Sequence, residues 1–253
     1  MEFIKITQEN LKEEHICCAI SNDRDCQVIS KKAWLKERLN EGIVFLKGNV
    51  RGKCFIEYIP AEYAWAPIEA EDYMYIDCLW VSGQFKGHGY SNSLLEECIR
   101  DSKEKGKKGL VILSSGKKMG FLSDHKFMTY KGFEIADTAE PYFELLYLPF
   151  DKSAKKPCFK ASVKEVQDSN IPGGFALYYT SQCPFTAKYV PMLEEIARNK
   201  SIEFHAIHIL TGEQARSAPA PFTTFSLFYN GQFLTHEILS EKKFEEIITE
   251  KGL

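Results

Sequence analysis

Hydrophobic positions along this chain fall into two rhythms that alternate from end to end. Short apolar runs bounded by glycine or charge predict strands: Phe3 to Thr7, IVFLK (43–47), KCFIEYI (53–59), MYIDCLWV (74–81), GLVILSS (109–115), FEIAD (133–137) and FELLYL (143–148). MYIDCLWV is apolar almost throughout, as a central strand covered on both faces must be. Between these runs, apolar residues spaced three and four apart predict helices. They cover Gln8 to Ile20, Ser30 to Asn40 with Ser30 as N-cap and Gly42 as stop, a stretch beginning near Tyr90, and about Lys118 to Tyr130, closed by Lys131-Gly132. In the helix from Tyr90, Leu94, Leu95, Cys98 and Ile99 share one face, while Glu96, Arg100 and Lys103 turn to water.

The segment DKSAKKP (151–157) breaks the pattern with charge and a terminal proline, and Pro172-Gly173-Gly174 breaks it again. Residues 151–174 therefore read as a linker. A second unit follows: FALYYT (175–180), the turn SQCP, a helix through about Asn199, EFHAIHIL (203–210), the proline-rich APAP, FTTFSLFY (222–229), QFLTHEI (232–238) and a helix from Glu241. Asn230-Gly231 between two alternating runs is a strong hairpin signal. The expectation is an α/β fold with mixed sheets (α+β in character), divided into domains over 1–150 and 175–253. A length of 253 residues is enough for two cores.

Composition narrows the function classes. Hydrophobic residues at 44% and charged ones at 26% are ordinary for a globular chain. The net charge of -3 falls wholly on the first 150 residues, so neither part has a basic lobe for nucleic acid or an anionic membrane. No apolar run approaches the roughly 18 residues needed to cross a bilayer, and the charged opening MEFIKITQENLKEEH has no signal-peptide pattern. The eight cysteines lack metal-ligand spacing, and adjacent Cys17 and Cys18 suit neither a zinc site nor a mutual disulfide. Reduced thiols in a cytoplasm and no bound metal are expected.

The densest chemical signal is Gln84-Phe85-Lys86-Gly87-His88-Gly89-Tyr90-Ser91, between a buried strand and an amphipathic helix. Glycine here permits torsions closed to other residues and lets a ligand approach the main chain. The helix behind it offers unpaired N–H groups and the positive end of its dipole, which together suit a pyrophosphate. A dinucleotide fold would need a third glycine in G-x-G-x-x-G, and a P-loop would need Gly-Lys-Ser/Thr where Gly87 is followed by His88.

Gln84 to Gly89 resembles the (Q/R)-x-x-G-x-(G/A) signature of the GNAT N-acetyltransferases, at the end of the fourth strand and the start of the third helix. Tyr130-Lys131-Gly132-Phe133 is similar to the family's GF ending. The resemblance implies acetyl-CoA as acyl donor. Its pyrophosphate would be held by N–H groups from Phe85 to Tyr90, with Ser91 assisting and Lys86 and His88 adding charge. Its pantetheine arm would lie along Leu79–Val81.

Acetyl transfer to an amine needs a base and an acid for the leaving thiolate. The family often takes the acid from a tyrosine four residues before the glycine of the GF ending. Met128 holds that place here, which leaves Tyr130 as the nearest tyrosine. Asp77 is the leading base because a carboxylate inside an apolar strand is costly unless partnered or set in a cleft; a structural Asp bonded to a loop is the competing account. Glu57 is a second candidate, and Tyr63, Trp65 and Tyr73 are candidate walls of the acceptor pocket, or an ordinary packed loop.

In the second unit, Cys183-Pro184-Phe185-Thr186 looks like a thioredoxin-type C-x-x-C whose second cysteine has become threonine. A helix N-terminus favours the thiolate, so Cys183 is a candidate reactive thiol. The alternative is a degenerate thioredoxin-like fold reused for substrate binding or for contact in a homodimer. SQCPFT and APAPFTTFSLFYNGQF with a GNAT domain resemble the bacterial YoaP-type acetyltransferases. The reading is thus an acetyl-CoA-dependent N-acetyltransferase acting on a primary amine, in a small molecule or a protein. A non-catalytic acyl-CoA-binding sensor and a thiol-linked enzyme using Cys183 are the alternatives.

Overall fold

The computed structural model describes residues 1–16, 18, 22–151, 153–164 and 171–253. In the first part, Phe3–Lys5 (β1) precedes the helix Cys26–Arg38 (α1), and Val44–Gly48 (β2) and Cys54–Pro60 (β3) form a hairpin. Ile68–Glu69 (β4) and Tyr73–Val81 (β5) lead to the helix Tyr90–Glu104 (α2) and then Gly109–Ser115 (β6). Ser123–Asp124 (β7), the helix His125–Tyr130 (α3), Glu134–Ala139 (β8) and Phe143–Pro149 (β9) complete it. The main sheet has the order β1-β2-β3-β5-β6-β9-β8, with β7 paired to β6. Every pairing on the main path is antiparallel except β5 with β6. Two cores lie on opposite faces: α2 covers one through Leu94, Leu95 and Cys98, and α1 covers the other through Trp34 and Leu35.

Three expected elements take other forms. Helix is expected over 8–20, but the described residues form turns through Glu14. There Thr7 and Asn10 exchange the reciprocal bonds of a helix start, Thr7 N–H to Asn10 Oδ1 at 2.8 Å and Asn10 N–H to Thr7 Oγ1 at 3.4 Å. The ladder behind them is broken: Leu11 N–H reaches the Thr7 carbonyl and Glu14 N–H that of Asn10, with no such bond from Lys12 among the described residues. Residues 17, 19 and 20 of that stretch lie outside the described residues. Helix α1 starts at Cys26 rather than near Ser30, because Asp25 caps it by accepting from Gln27 N–H; Gly42, at φ 89°, ends the turn after it. Helix α3 is confined to six residues, since Ser123–Asp124 first pair with Ser114–Ser115 and Asp124 then caps at Phe127 N–H.

Residues 158–164 are docked on the first domain. Cys158–Phe159 (β10) pair with β4, and Phe159 and Val163 are buried in its core. Residues 165–170 lie outside the described residues.

The second unit comprises Phe175–Tyr179 (β11), the helix Thr186–Asn199 (α4), Phe204–His208 (β12), the helix Gly212–Arg216 (α5), Phe225–Tyr229 (β13), Gln232–Thr235 (β14) and the helix Glu241–Glu250 (α6). Its sheet order is β12-β11-β13-β14, parallel only between β11 and β12. Phe175, Leu177, Phe225 and Leu227 pack under α4 and α6. Tyr178, Phe222 and Phe233 turn the other way and join the first domain's core on the α1 face.

Candidate active site

Strands β5 and β6 are hydrogen-bonded only from Tyr73–Ile76 to Gly109–Ile112. Against β3, Glu57 lies opposite Cys78 and Tyr58 opposite Ile76, so Asp77 is the extra residue of a β-bulge. Past the bulge β5 follows β3 while β6 continues along β9 to Ser115. The sheet opens into a wedge whose β5 wall is Asp77–Val81, all half-buried. Peptide groups on that wall have lost their strand partner and can serve a ligand instead.

At the end of β5 the chain turns sharply into α2. Gly83, Gly87 and Gly89 have φ of 64°, 81° and 78°, torsions that L side chains resist. A Cβ on Gly87 or Gly89 would meet no atom within 4 Å, so the need is torsional and the space beside them is open. Gly89 occupies the N-cap position of α2 and has no side chain to offer its N–H groups. Lys86 N–H is spent on the Gly83 carbonyl, and those of Asn92 and Ser93 on Gly89. Those of residues 87–91 have no partner among the described residues. Five unpaired donors at the positive end of a 15-residue helix form an anion cradle. Phe85 anchors the turn by lying on Gly52, where a Cβ would come 2.2 Å from its ring.

Halfway along the same strand sits a cluster of buried charge. Lys31 on α1 and Glu57 on β3 are 2% and 1% exposed and form an ion pair at 2.6 Å. Lys31 Nζ also donates to the Gln182 carbonyl at 2.7 Å, in the SQCP turn of the second domain. Gln182 Nε2 donates to Asp77 Oδ1 at 3.1 Å, and Thr224 Oγ1 supports Gln182 Oε1 at 3.4 Å. Burial would strip the proton from Lys31, but the Glu57 charge offsets that and holds its pKa above the usual lysine value. Burial raises Glu57, while Lys31 draws it back. Asp77 is pushed well above the carboxylate range by burial and then by the Glu57 charge. One lysine can neutralise one carboxylate, so Asp77 is the carboxyl whose ionisation is deferred to higher pH.

A wedge between parallel strands, an anion cradle at its rim and a carboxyl of raised pKa on its wall meet within one strand. The chain matches the Acetyltransferase (GNAT) family over residues 9–119 and the YoaP-like family over residues 203–246. It is 44% identical over 249 residues to the Uncharacterized N-acetyltransferase YoaP of Bacillus subtilis (strain 168), covering 98% of each chain. The chain belongs to the GNAT N-acetyltransferases. Among solved structures, the PaiA N-acetyltransferase of Thermoplasma acidophilum in complex with coenzyme A is similar at 17% identity and TM-score 0.38, over 59% of this chain and 100% of that one. An aminoglycoside 6'-acetyltransferase type Ii is similar at 12% identity and TM-score 0.43, over 59% and 97%.

Within this GNAT chain the structure gathers Leu79, Val81 and Gln84–Ser91 at one corner, with Leu79 and Val81 against the core under α2. Lys86 and His88 are exposed there, and the His88 and Tyr90 rings stack at 5.8 Å. Tyr130 stands apart: it ends α3, is 82% exposed and has the Lys131 ammonium over its ring. Met128 is buried in the core. Of the aromatic candidates, Tyr63 is exposed, Tyr73 is a core residue, and Trp65 packs edge-on against Trp34. Cys183 differs from the sequence expectation of a favoured thiolate. Helix α4 starts three residues later, at Thr186, and burial pushes the thiol up to about 11.

Lys31 and Gln182 escape the sequence reading. Lys31 leaves one trace, since Val28, Lys31 and Leu35 share the buried face of α1 and a lysine stands where an apolar residue is expected. Gln182 leaves none, because its partners are far away along the chain.

Proposed function

We propose that this chain transfers the acetyl group of acetyl-CoA to a primary amine by direct attack on the thioester. The carrying observation is the set of five unpartnered N–H groups at Gly87–Ser91 beside the open wedge, a fit for the donor's pyrophosphate. In this reading the pantetheine arm follows Leu79–Val81 into the wedge, and an unpaired β5 peptide N–H polarises the thioester carbonyl. Asp77 in its ionised form is the general base: its raised pKa makes that carboxylate basic enough to take a proton from an ammonium group. The neutral amine then attacks, the C–N bond forms, the C–S bond breaks, and the departing thiolate takes a proton. Tyr130, 82% exposed, serves as that acid only through a movement of α3, so we assign the proton to solvent in the wedge. The order of the second sheet, with its crossover β11-α4-β12, supports a thioredoxin-like domain. Thr186 in place of a second cysteine, and the high pKa of Cys183, favour a binding role for that domain over redox exchange. No described helix is long and apolar enough to cross a membrane, and we place the protein in a bacterial cytoplasm.

Calorimetric titration with acetyl-CoA tests the cradle. The native chain binds, and Gly89→Val loses binding while its urea midpoint shifts by no more than the ~1–2 kcal/mol of a strained left-handed residue. Unchanged affinity in Gly89→Val removes the pyrophosphate from this turn. Release of free CoA with a panel of small amines and amine-bearing peptides tests the transfer; tight binding without release across the panel makes the protein a sensor instead.

A further inference from the structure

The second domain does more than sit beside the acetyltransferase. Its SQCP turn reaches the wedge wall and contributes two polar groups to the buried cluster, both from Gln182. The carbonyl accepts from Lys31 at 2.7 Å, and the side-chain amide donates to Asp77 at 3.1 Å. Around that turn the domains are locked together at separate points. Phe185 lies edge-on against Trp80 of β5 at 6.5 Å, the Thr223 hydroxyl donates to the Trp65 carbonyl, and His236 Nε2 donates to the Gly120 carbonyl at 2.8 Å. These contacts, from three separate stretches of the second domain, hold it against the first.

We infer that Gln182 is a positioning residue of the acetyl-transfer site, holding the Asp77 carboxyl and the Lys31 ammonium in place, and that the second domain is thereby a working part of the acetyltransferase. The inference rests on the reading of Asp77 as general base. A carboxylate on a bulge, next to unpaired backbone, has freedom to rotate. The Gln182 amide removes that freedom, and Thr224, by donating to Gln182 Oε1, fixes which end of the amide faces Asp77. The same amide donor favours the ionised form of Asp77, the form that works as a base. Charged and titratable groups facing Asp77 are Lys31 from α1, Glu57 from β3, and Tyr75 on its own strand. Cys78 on β5 and Cys183 beside Gln182 lie in the same cluster, both with burial-raised pKa values. Without a hydrogen bond from Gln182, burial and Glu57 act on Asp77 opposed by Lys31 alone.

The test uses the full chain with Gln182→Leu, and Gln182→Asn as a second variant that keeps the polarity but draws the amide back by one methylene. Two readouts are taken: CoA release with the best amine of the panel, and the carbon-13 carboxyl shift of Asp77 against pH, assigned with Asp77→Asn. We expect kcat to fall at least tenfold in both variants with acetyl-CoA affinity within twofold of native. We also expect the rising limb of the kcat/KM profile and the Asp77 midpoint to move to higher pH. An unchanged Asp77 midpoint in a folded variant overturns the inference, as does a kcat loss with no shift of the pH profile. If the native chain turns over no amine, the reading of Asp77 as base fails by itself, and the carboxyl titration still decides whether Gln182 governs Asp77.

Discussion

The turn at Gly87–Ser91 and the cluster around Lys31 lie on the same strand, one at its end and the other at its bulge, and they are built on opposite terms. The turn presents consecutive unpartnered peptide groups that face solvent and carry partial charge. The cluster sets an ion pair between α1 and β3, at 1–2% exposure, beside a carboxyl of β5 and the neutral amide of Gln182 from a second domain. A backbone site must mark its own sequence, because the torsions it needs demand glycine at fixed places. A side-chain site gathered by the fold has no such signature. The energetics diverge in the same way: the cradle costs little to disturb when empty, whereas every member of the cluster depends on the others to stay buried.

The sharpest way to break this contrast is to remove one charge from the cluster. Lys31→Met leaves Glu57 without its cation inside the core, and we expect a loss of about 3–5 kcal/mol, measured as the urea midpoint of the full chain at pH 7. The double variant Lys31→Met, Glu57→Leu should recover most of that loss, since two apolar side chains need no compensation. If both single and double variants lose the same amount, the pair is not coupled and the cluster is ordinary packing.

How far each region was legible follows from its construction. Gln84, Gly87 and Gly89 stood out as a strand-to-helix turn, and the structure gives the two glycines the left-handed torsions that their presence implied. The strands from Gly109, Phe143 and Phe175 were legible because buried strands leave continuous apolar runs. Asp77 was legible as an anomaly in such a run, but not its partners: Lys31 and the Gln182 carbonyl are 151 residues apart. The helix expected over 8–20 starts with a Thr7–Asn10 cap but does not propagate, its backbone bonds stopping at isolated turns through Glu14, an outcome that apolar spacing does not register. The stretch 158–164 read as linker because two residues of β10 pair with two of β4, too short a run for any pattern.

A smaller effect separates Asp77 from Glu57. Below the ordinary carboxylate value of 3.8 Asp77 is protonated in both folded and unfolded chains. Above it the unfolded carboxyl ionises while the buried one keeps its proton, so stability falls as pH rises, until the raised folded pKa is passed. Asp77→Asn lacks this dependence. Its denaturation midpoint should gain on the native chain by up to ~1.4 kcal/mol per pH unit across that window. Parallel curves from pH 4 to pH 8 would mean that Asp77 ionises normally and that the proton sits elsewhere in the cluster.

The smallest expected effect tests whether the domain interface behaves like the cluster or like the turn. His236 is fully buried, with Nδ1 accepting from the Tyr142 hydroxyl at 2.7 Å and Nε2 donating to Gly120. Both nitrogens are occupied in the neutral tautomer, so a second proton would have to displace the tyrosine bond. Burial lowers the His236 pKa below 6.5, against smaller opposing effects of Gly120 and Glu237. A depressed folded pKa gives stability that is complete above the unfolded value and is lost as pH falls. Between pH 7 and pH 5.5 the native chain should lose about 1 kcal/mol relative to His236→Gln. The difference between the two chains cancels His15 and His208, which are also lowered by burial, and the opposite trend from Asp77. A flat difference would show that His236 accepts its proton without disturbing Tyr142. The interface would then tolerate charge as the exposed turn does, and the second domain would be held by its apolar contacts with Trp80 and Phe143 rather than by its buried polar ones.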